Sequence, residues 1–272
     1  MNGVPLPMSL ETLERLLGNF LREECHKAGF RRAVVGISGG LDSATVLLLA
    51  ARALGPENVL AIYMPYRTSS EHSRRDAYDT IAKAGCLHEE IDISGAVDAF
   101  AEVTGCDDRS RLGNKMARER MSILFDHSAE CGGLVVGTSN RTEILLGYGT
   151  LFGDTACSIN PIAGLLKTQV FQLAAAVGVH GEILDKPPTA DLWPGQTDED
   201  EVGFSYAEVD RILFRLVDRR LSLDEVVADG FERELVERVD RMVAGSEFKR
   251  QVPPIAKIGP RTAGIDYLYP RR

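Results

Sequence analysis

The residues best suited to chemistry sit together near the start of the chain, in Gly36-Ile37-Ser38-Gly39-Gly40-Leu41-Asp42-Ser43. An apolar run ending at Ile37 reads as a buried strand, and an amphipathic run begins at Asp42-Ser43, in capping positions for a helix. The paired glycines let the backbone turn sharply and bring its N–H groups close to a ligand. The helix start behind them offers unpaired N–H groups and partial positive charge, which suits phosphate or pyrophosphate. Asp42 is then placed to hold a divalent cation against those phosphates. A strand–turn–helix whose Asp42 merely caps would share these features, but the whole Ser-Gly-Gly-Leu-Asp-Ser string after a strand favours phosphate binding. It is not a Walker loop, since no Gly-Lys-Ser/Thr follows, and it lacks the Gly-x-Gly-x-x-Gly of dinucleotide folds.

The elements that must position this loop alternate along the chain. A helix is predicted over 9–28, with Leu13, Leu17 and Leu21 on one face and Ser9 as N-cap. The loop strand and its helix follow, stopped by Gly55-Pro56. A second strand is expected from Val59 to Met64, a helix over 70–84, a third strand from Leu87 to Ile93 and a short helix from Ala96. A long amphipathic helix over 110–131 leads to a fourth strand, Gly133 to Gly137. This alternation predicts an α/β fold with a doubly wound parallel sheet covered by helices on both faces. In such a sheet, ligands sit at the carboxyl ends of strands where the winding reverses. That rule gathers the loop, Pro65-Tyr66-Arg67 and Thr138 to Glu143 into one crevice. A helix is expected over 168–177 and C-terminal helices over 205–218, 222–229 and 231–244. Residues 187–203 show no period and read as a lid or as a solvated acidic loop.

Composition narrows the partners. Of 272 residues, 44% are hydrophobic, and 31 basic side chains face 40 acidic ones for a net charge of −9. A net negative field argues against nucleic acid as the main partner. Five cysteines are scattered singly, which fits reduced thiols and a cytoplasmic protein rather than a disulfide framework or zinc site. No signal-peptide pattern or membrane-length apolar run is present, so no membrane partner is expected.

The loop resembles the pyrophosphatase loop of enzymes that cleave ATP between the α and β phosphates to adenylate a substrate. Six strings in order extend the resemblance to the ammonia-dependent NAD synthetases. They are the loop itself, Asn114 to Arg120, Gly137 to Glu143, Leu165 to Gln169, Pro188 to Leu192 and Lys249 to Pro253. The resemblance implies an adenine nucleotide α-hydrolase-like fold and a single NAD synthetase domain over 1–272. It also implies the reaction: ATP adenylates the nicotinate carboxylate of deamido-NAD, pyrophosphate leaves, and ammonia gives the amide. ATP is the co-substrate and Mg²⁺ the cofactor. Gly36, Ile37, Ser38, Gly39, Gly40, Leu41, Asp42 and Ser43 are assigned to the ATP phosphates, with Thr138, Lys167 and Thr189 also on ATP. Asp42 and Glu143 are assigned to Mg²⁺, Asp42 and Lys167 to catalysis, and Arg118 and Lys249 to deamido-NAD. By residue type alone, Glu143 reads equally as a surface carboxylate, Lys167 as a helix-start lysine, and Arg118 and Lys249 as solvated charges.

Three departures fall on the dinucleotide side. Leu151 stands where the family usually has Lys, Ser158 where it has Asp, and Phe248 where it has His. The first two together are charge-neutral and suggest an ionic contact exchanged for packing and a hydroxyl hydrogen bond. No amidase domain is expected in this length, so ammonia comes from solution or from a separate amidase. The resemblance further suggests a homodimer, with the 110–131 helix as an interface candidate. The competing readings are another pyrophosphatase-loop amidotransferase or sulfur transferase acting on tRNA, and a non-catalytic nucleotide-binding module.

Overall fold

A computed structural model describes residues 3–186 and 203–262. Four strands, β1 (Arg32–Ile37), β2 (Val59–Tyr63), β3 (Leu87–Glu90) and β4 (Gly133–Val136), form a parallel sheet in the order β3-β2-β1-β4. Val34 pairs with Leu60 on one side and Val135 on the other. Ile159 adds a parallel bridge beside Val136. The chain winds outward from β1 to β3 and then crosses back to lay β4 on the opposite side of β1. The reversal lies between β1 and β4, and the expected doubly wound α/β architecture is what forms.

β1 is central because it is apolar on both faces. Ala33, Val35 and Ile37 enter one core cluster and Val34 another, with the side-chain period of two that a strand imposes. The first cluster is covered by α1 (Leu10–Lys27), α2 (Leu41–Leu54) and, with Leu173 fully buried, α7 (Lys167–Ala176). Burying a leucine such as Leu21, Leu47 or Leu173 contributes about 1.5–3 kcal/mol. The opposite face is covered by α4 (Ser94–Thr104) and α5 (Arg109–Cys131) through Val97 and Met116. α3 (Glu71–Ala84) and α8 (Gly181–Asp185) add Ala77, Ile81 and Ile183 to the first cluster, and the short α6 (Arg141–Leu146) follows β4.

A third cluster belongs to α9 (Tyr206–Leu213), α10 (Leu223–Ala228) and α11 (Arg233–Gly245). Val209, Ile212, Val226, Val236 and Val239 close it, and Leu146 of α6 and Leu166 before α7 join it to the sheet half.

Several boundaries differ from expectation. β3 stops at Glu90, since all four of its residues are exposed and Ile93, fully buried, already turns into α4. The helix expected over 205–218 is α-helical only to Leu213 and continues as a wider π turn over Phe214–Asp218. α6, α8 and a 3₁₀ turn over Glu247–Lys249 are each too short to show a helical period. The expected lid over 187–203 lies, but for Gly203, outside the described residues. No described helix is long and apolar enough to cross a membrane.

Candidate active site

The phosphate-loop turn is fixed by its own polar atoms. The Ser38 amide donates to Ser43 Oγ at 3.2 Å, the Gly40 amide to Ser38 Oγ at 3.2 Å, and Ser43 Oγ donates to the Gly40 carbonyl at 3.1 Å. Gly39 has φ +80°, and a Cβ there would lie 2.2 Å from the Ser73 carbonyl oxygen on α3, so glycine is required twice over. Asp42 does not cap α2, contrary to the sequence expectation. Gly40 is the N-cap, with no side-chain bond. Ser43 is spent on the turn and Asp42 is left free to point into the crevice.

What meets Asp42 there comes from α6 and α7. Asn140, fully buried, donates from Nδ2 to Asp42 Oδ1 at 3.1 Å and accepts the Glu143 amide at 3.0 Å. Glu143 Oε2 accepts the Asn140 amide in return, closing a capping box at the start of α6. Lys167, the first residue of α7 and 3% exposed, bonds Asp42 Oδ2 and reaches Glu143 Oε1 at 3.4 Å. The structure therefore brings Asp42, Glu143 and Lys167 together at the winding reversal. Asn140 is the hinge between the two carboxylates; its place at the N-cap three residues before a glutamate is the signal that would have revealed it.

Two carboxylates and one ammonium leave a net negative site with hard oxygen donors only, a set that fits Mg²⁺. Among the described residues, the one cluster of three metal-ligating types is His72, Asp76 and Glu182, where Lys186 pairs with Asp76 and Arg75 with Glu182.

Beside the loop opens a cleft lined by Ser38, Ser43, Arg120, Met121, Thr138 and Asp154. Thr138, just beyond β4, thus lines the same cleft as the loop. Asp154 lies in the glycine-rich run Gly147-Tyr148-Gly149-Thr150-Leu151-Phe152-Gly153-Asp154 that follows α6. Its carboxylate accepts the Thr150 amide at 2.8 Å. One side stays open to solvent at the cleft, yet protein crowds the others, and that desolvation pushes its carboxyl pKa up. No residue spacing foreshadows this, because the loop over 147–158 has no period.

The expected dinucleotide contacts are engaged within the protein. Arg118 donates to the Leu151 carbonyl at 3.3 Å, and Lys249 Nζ donates to the carbonyls of Gly147 and Gly149, both at 2.8 Å. Both groups thus brace the glycine-rich loop that carries Asp154. Leu151 is half-buried on that loop, whereas Ser158 and Phe248 are exposed. Thr189 lies outside the described residues.

Comparison with known proteins gives one family. The model for NAD synthase matches residues 13–253. The chain is 51% identical to an NH(3)-dependent NAD(+) synthetase of Trichlorobacter lovleyi, over 98% of this chain and 97% of that protein. It is 49% identical to the protein of that name in Chlorobium phaeobacteroides strain BS1, over 100% and 98%. Among solved structures, an NMN synthetase from Francisella tularensis superposes with TM-score 0.82 at 32% identity, covering 92% of this chain and all of that one. An NH3-dependent NAD synthetase from Campylobacter jejuni superposes with TM-score 0.79 at 33% identity, with the same coverage. Together with the four-stranded sheet and the site at its reversal, these likenesses lead to one conclusion: the chain belongs to the NAD synthase family.

Proposed function

We propose that the chain is an ammonia-dependent NAD synthetase, a ligase that amidates deamido-NAD at the expense of ATP. The observation that carries this reading is the Lys167 ammonium held between Asp42 and Glu143 beside the Ser38–Ser43 turn. ATP lies with its phosphates on the amides of residues 36–43 and at the N-terminus of α2. A nicotinate carboxylate oxygen attacks the α-phosphorus, the bond to the β-phosphate oxygen breaks, and pyrophosphate leaves. Asp42 and Glu143 are the residues that would hold Mg²⁺, which supplies positive charge to the phosphates. Lys167 carries its own positive charge toward the leaving pyrophosphate. Thr138 binds ATP from the end of β4, and Thr189 is retained as an ATP contact on the family resemblance.

Ammonia then attacks the acyl carbon, AMP leaves, and one proton must depart from the nitrogen. Asp154, raised in pKa and facing the cleft, is suited to receive it. Arg118 and Lys249 serve deamido-NAD, as the family resemblance implies, and their bonds to the Leu151, Gly147 and Gly149 carbonyls fix the loop that walls its pocket. The protein works as one catalytic domain, a cytoplasmic homodimer with α5 at the interface, drawing ammonia from solution or a separate amidase.

Incubation with ATP, Mg²⁺, ammonium and deamido-NAD tests the reading, with AMP and NAD expected in equal amounts. A parallel reaction with nicotinate mononucleotide addresses the likeness to the Francisella protein named NMN synthetase. Preference for the mononucleotide, or formation of ADP in place of AMP, would overturn the proposal.

A further inference from the structure

Helix α9 lies outside the nucleotide-binding half, yet one of its residues reaches Lys167 and another bonds the residues that hold it. Asp210 is fully buried, and its two oxygens serve different partners. Oδ1 accepts the Thr142 hydroxyl at 2.5 Å, and Oδ2 accepts the Thr168 amide at 2.7 Å. The same Thr142 hydroxyl oxygen accepts the Lys167 amide at 2.9 Å. One turn earlier on α9, Tyr206 places its ring 5.2 Å from Lys167 Nζ. Leu166 is the N-cap of α7 and has no polar side chain to satisfy the first amides of that helix. Asp210 and Thr142 supply that missing cap from two other helices, while Tyr206 offers its negative ring face to the ammonium.

We propose that Asp210 and Tyr206 are positioning residues for Lys167, through which the C-terminal helices hold the charge that meets the leaving pyrophosphate. The inference rests on the reading of Lys167 given above. Asp210 is desolvated enough to push its carboxyl pKa up, a cost that an apolar residue packed among Val209, Ile212 and Leu213 would not carry. Its geometry accounts for why a carboxylate stands there. Thr142 is the neighbour of Glu143 and Thr168 the neighbour of Lys167, so one buried group sets the spacing of the helices that bear both. The carboxylate fixes the backbone from which the lysine springs and the ring fixes its tip. An error of about 1 Å in such placement is enough to cost on the order of 100-fold in rate.

The test is steady-state turnover, normalised to ATP-binding sites so that only folded protein is counted. The variants are Asp210→Asn, Thr142→Val, Thr142→Ser, Tyr206→Leu, Tyr206→Phe and Lys167→Ala. Asparagine can accept only through one oxygen, so Asp210→Asn leaves either the Thr142 hydroxyl or the Thr168 amide facing an NH₂ group. Asp210→Asn, Thr142→Val and Tyr206→Leu are expected to lower kcat about tenfold or more, with KM for ATP within about twofold. Thr142→Ser and Tyr206→Phe keep the hydroxyl and the ring and are expected to stay within about threefold of the parent. Should Asp210→Asn fail to fold, the two Thr142 variants carry the same question. A normal kcat in Thr142→Val and Tyr206→Leu alongside a crippled Lys167→Ala overturns this proposal alone. A normal kcat in Lys167→Ala overturns the reading of Lys167 and this inference with it.

Discussion

At the scale of single residues, the site depends on groups that support its geometry with few ties to the core. Asp42 and Glu143 sit at the crevice mouth with side chains 15% and 17% exposed, so removing their charge leaves packing intact. Asp42→Asn and Glu143→Gln should each lower kcat by two orders of magnitude or more, roughly the worth of a lost charge contact at a reacting phosphate. Circular dichroism should match the parent. Unchanged turnover at saturating Mg²⁺ in either variant would remove that residue from the metal site. Gly39 fails differently. With φ +80° and the Ser73 carbonyl 2.2 Å from any Cβ, Gly39→Ala must push the loop off α3. We expect loss of detectable ATP binding by calorimetry and about 1–3 kcal/mol of stability lost on denaturant unfolding. The glycine pair and Asp42 were legible in the sequence because backbone freedom and a carboxylate after a strand have few other uses. Asp154 and Asp210 were not, since nothing local distinguishes them from surface polar residues until separate elements meet, and Asn140 had only its spacing from Glu143 to mark it.

Elements were legible in proportion to their length and the regularity of their burial. β1, β2, α1, α3 and α7 fell close to where period and capping residues put them, Ser9 and Ser70 each accepting an amide at a helix start. No element was expected at the six-residue α6, although Asn140 and Glu143 form a full capping box there. A single turn shows no period, so the side-chain pair was the only cue. That short helix carries more of the site than its size suggests, because Asn140 both starts it and orients Asp42. Asn140→Ala should therefore cost about 1 kcal/mol for the lost cap, plus the penalty of an unbonded buried amide. It should also weaken the Mg²⁺ dependence of turnover, because Asp42 loses the donor that aims it. Asn140→Asp restores the cap but sets a third carboxylate beside Asp42. It should recover stability without recovering activity, and recovery of both would show that Asn140 acts only as a cap.

Across the whole molecule, two core clusters cover the sheet and a third belongs to the C-terminal helices, and a buried carboxylate stands at the junction. Burial holds the carboxyl of Asp210 above the usual range, and its hydrogen bonds from Thr142 and Thr168 offset part of that. An acid whose folded pKa is raised keeps its proton in the folded state at pH values where the unfolded chain has released it. Stability from this group is therefore greatest in acid. It declines as pH rises from the ordinary carboxylate value, about 4, through the folded pKa, and is level above that. Asp154 is raised in the same direction, but it is exposed on its cleft side and adds little. Glu90, Asp92 and Glu225, all lowered chiefly by side-chain hydrogen bonds, act oppositely and lose stability as pH falls below about 4, but they are exposed and worth little. The parent protein should thus lose unfolding free energy as pH rises above the ordinary carboxylate value, about 4, and Asp210→Asn should show a flatter profile there. Denaturant titrations at several pH values measure both slopes. Parallel profiles would mean that Asp210 titrates alike in the folded and unfolded chain, its hydrogen bonds from Thr142 and Thr168 fully offsetting the cost of burial.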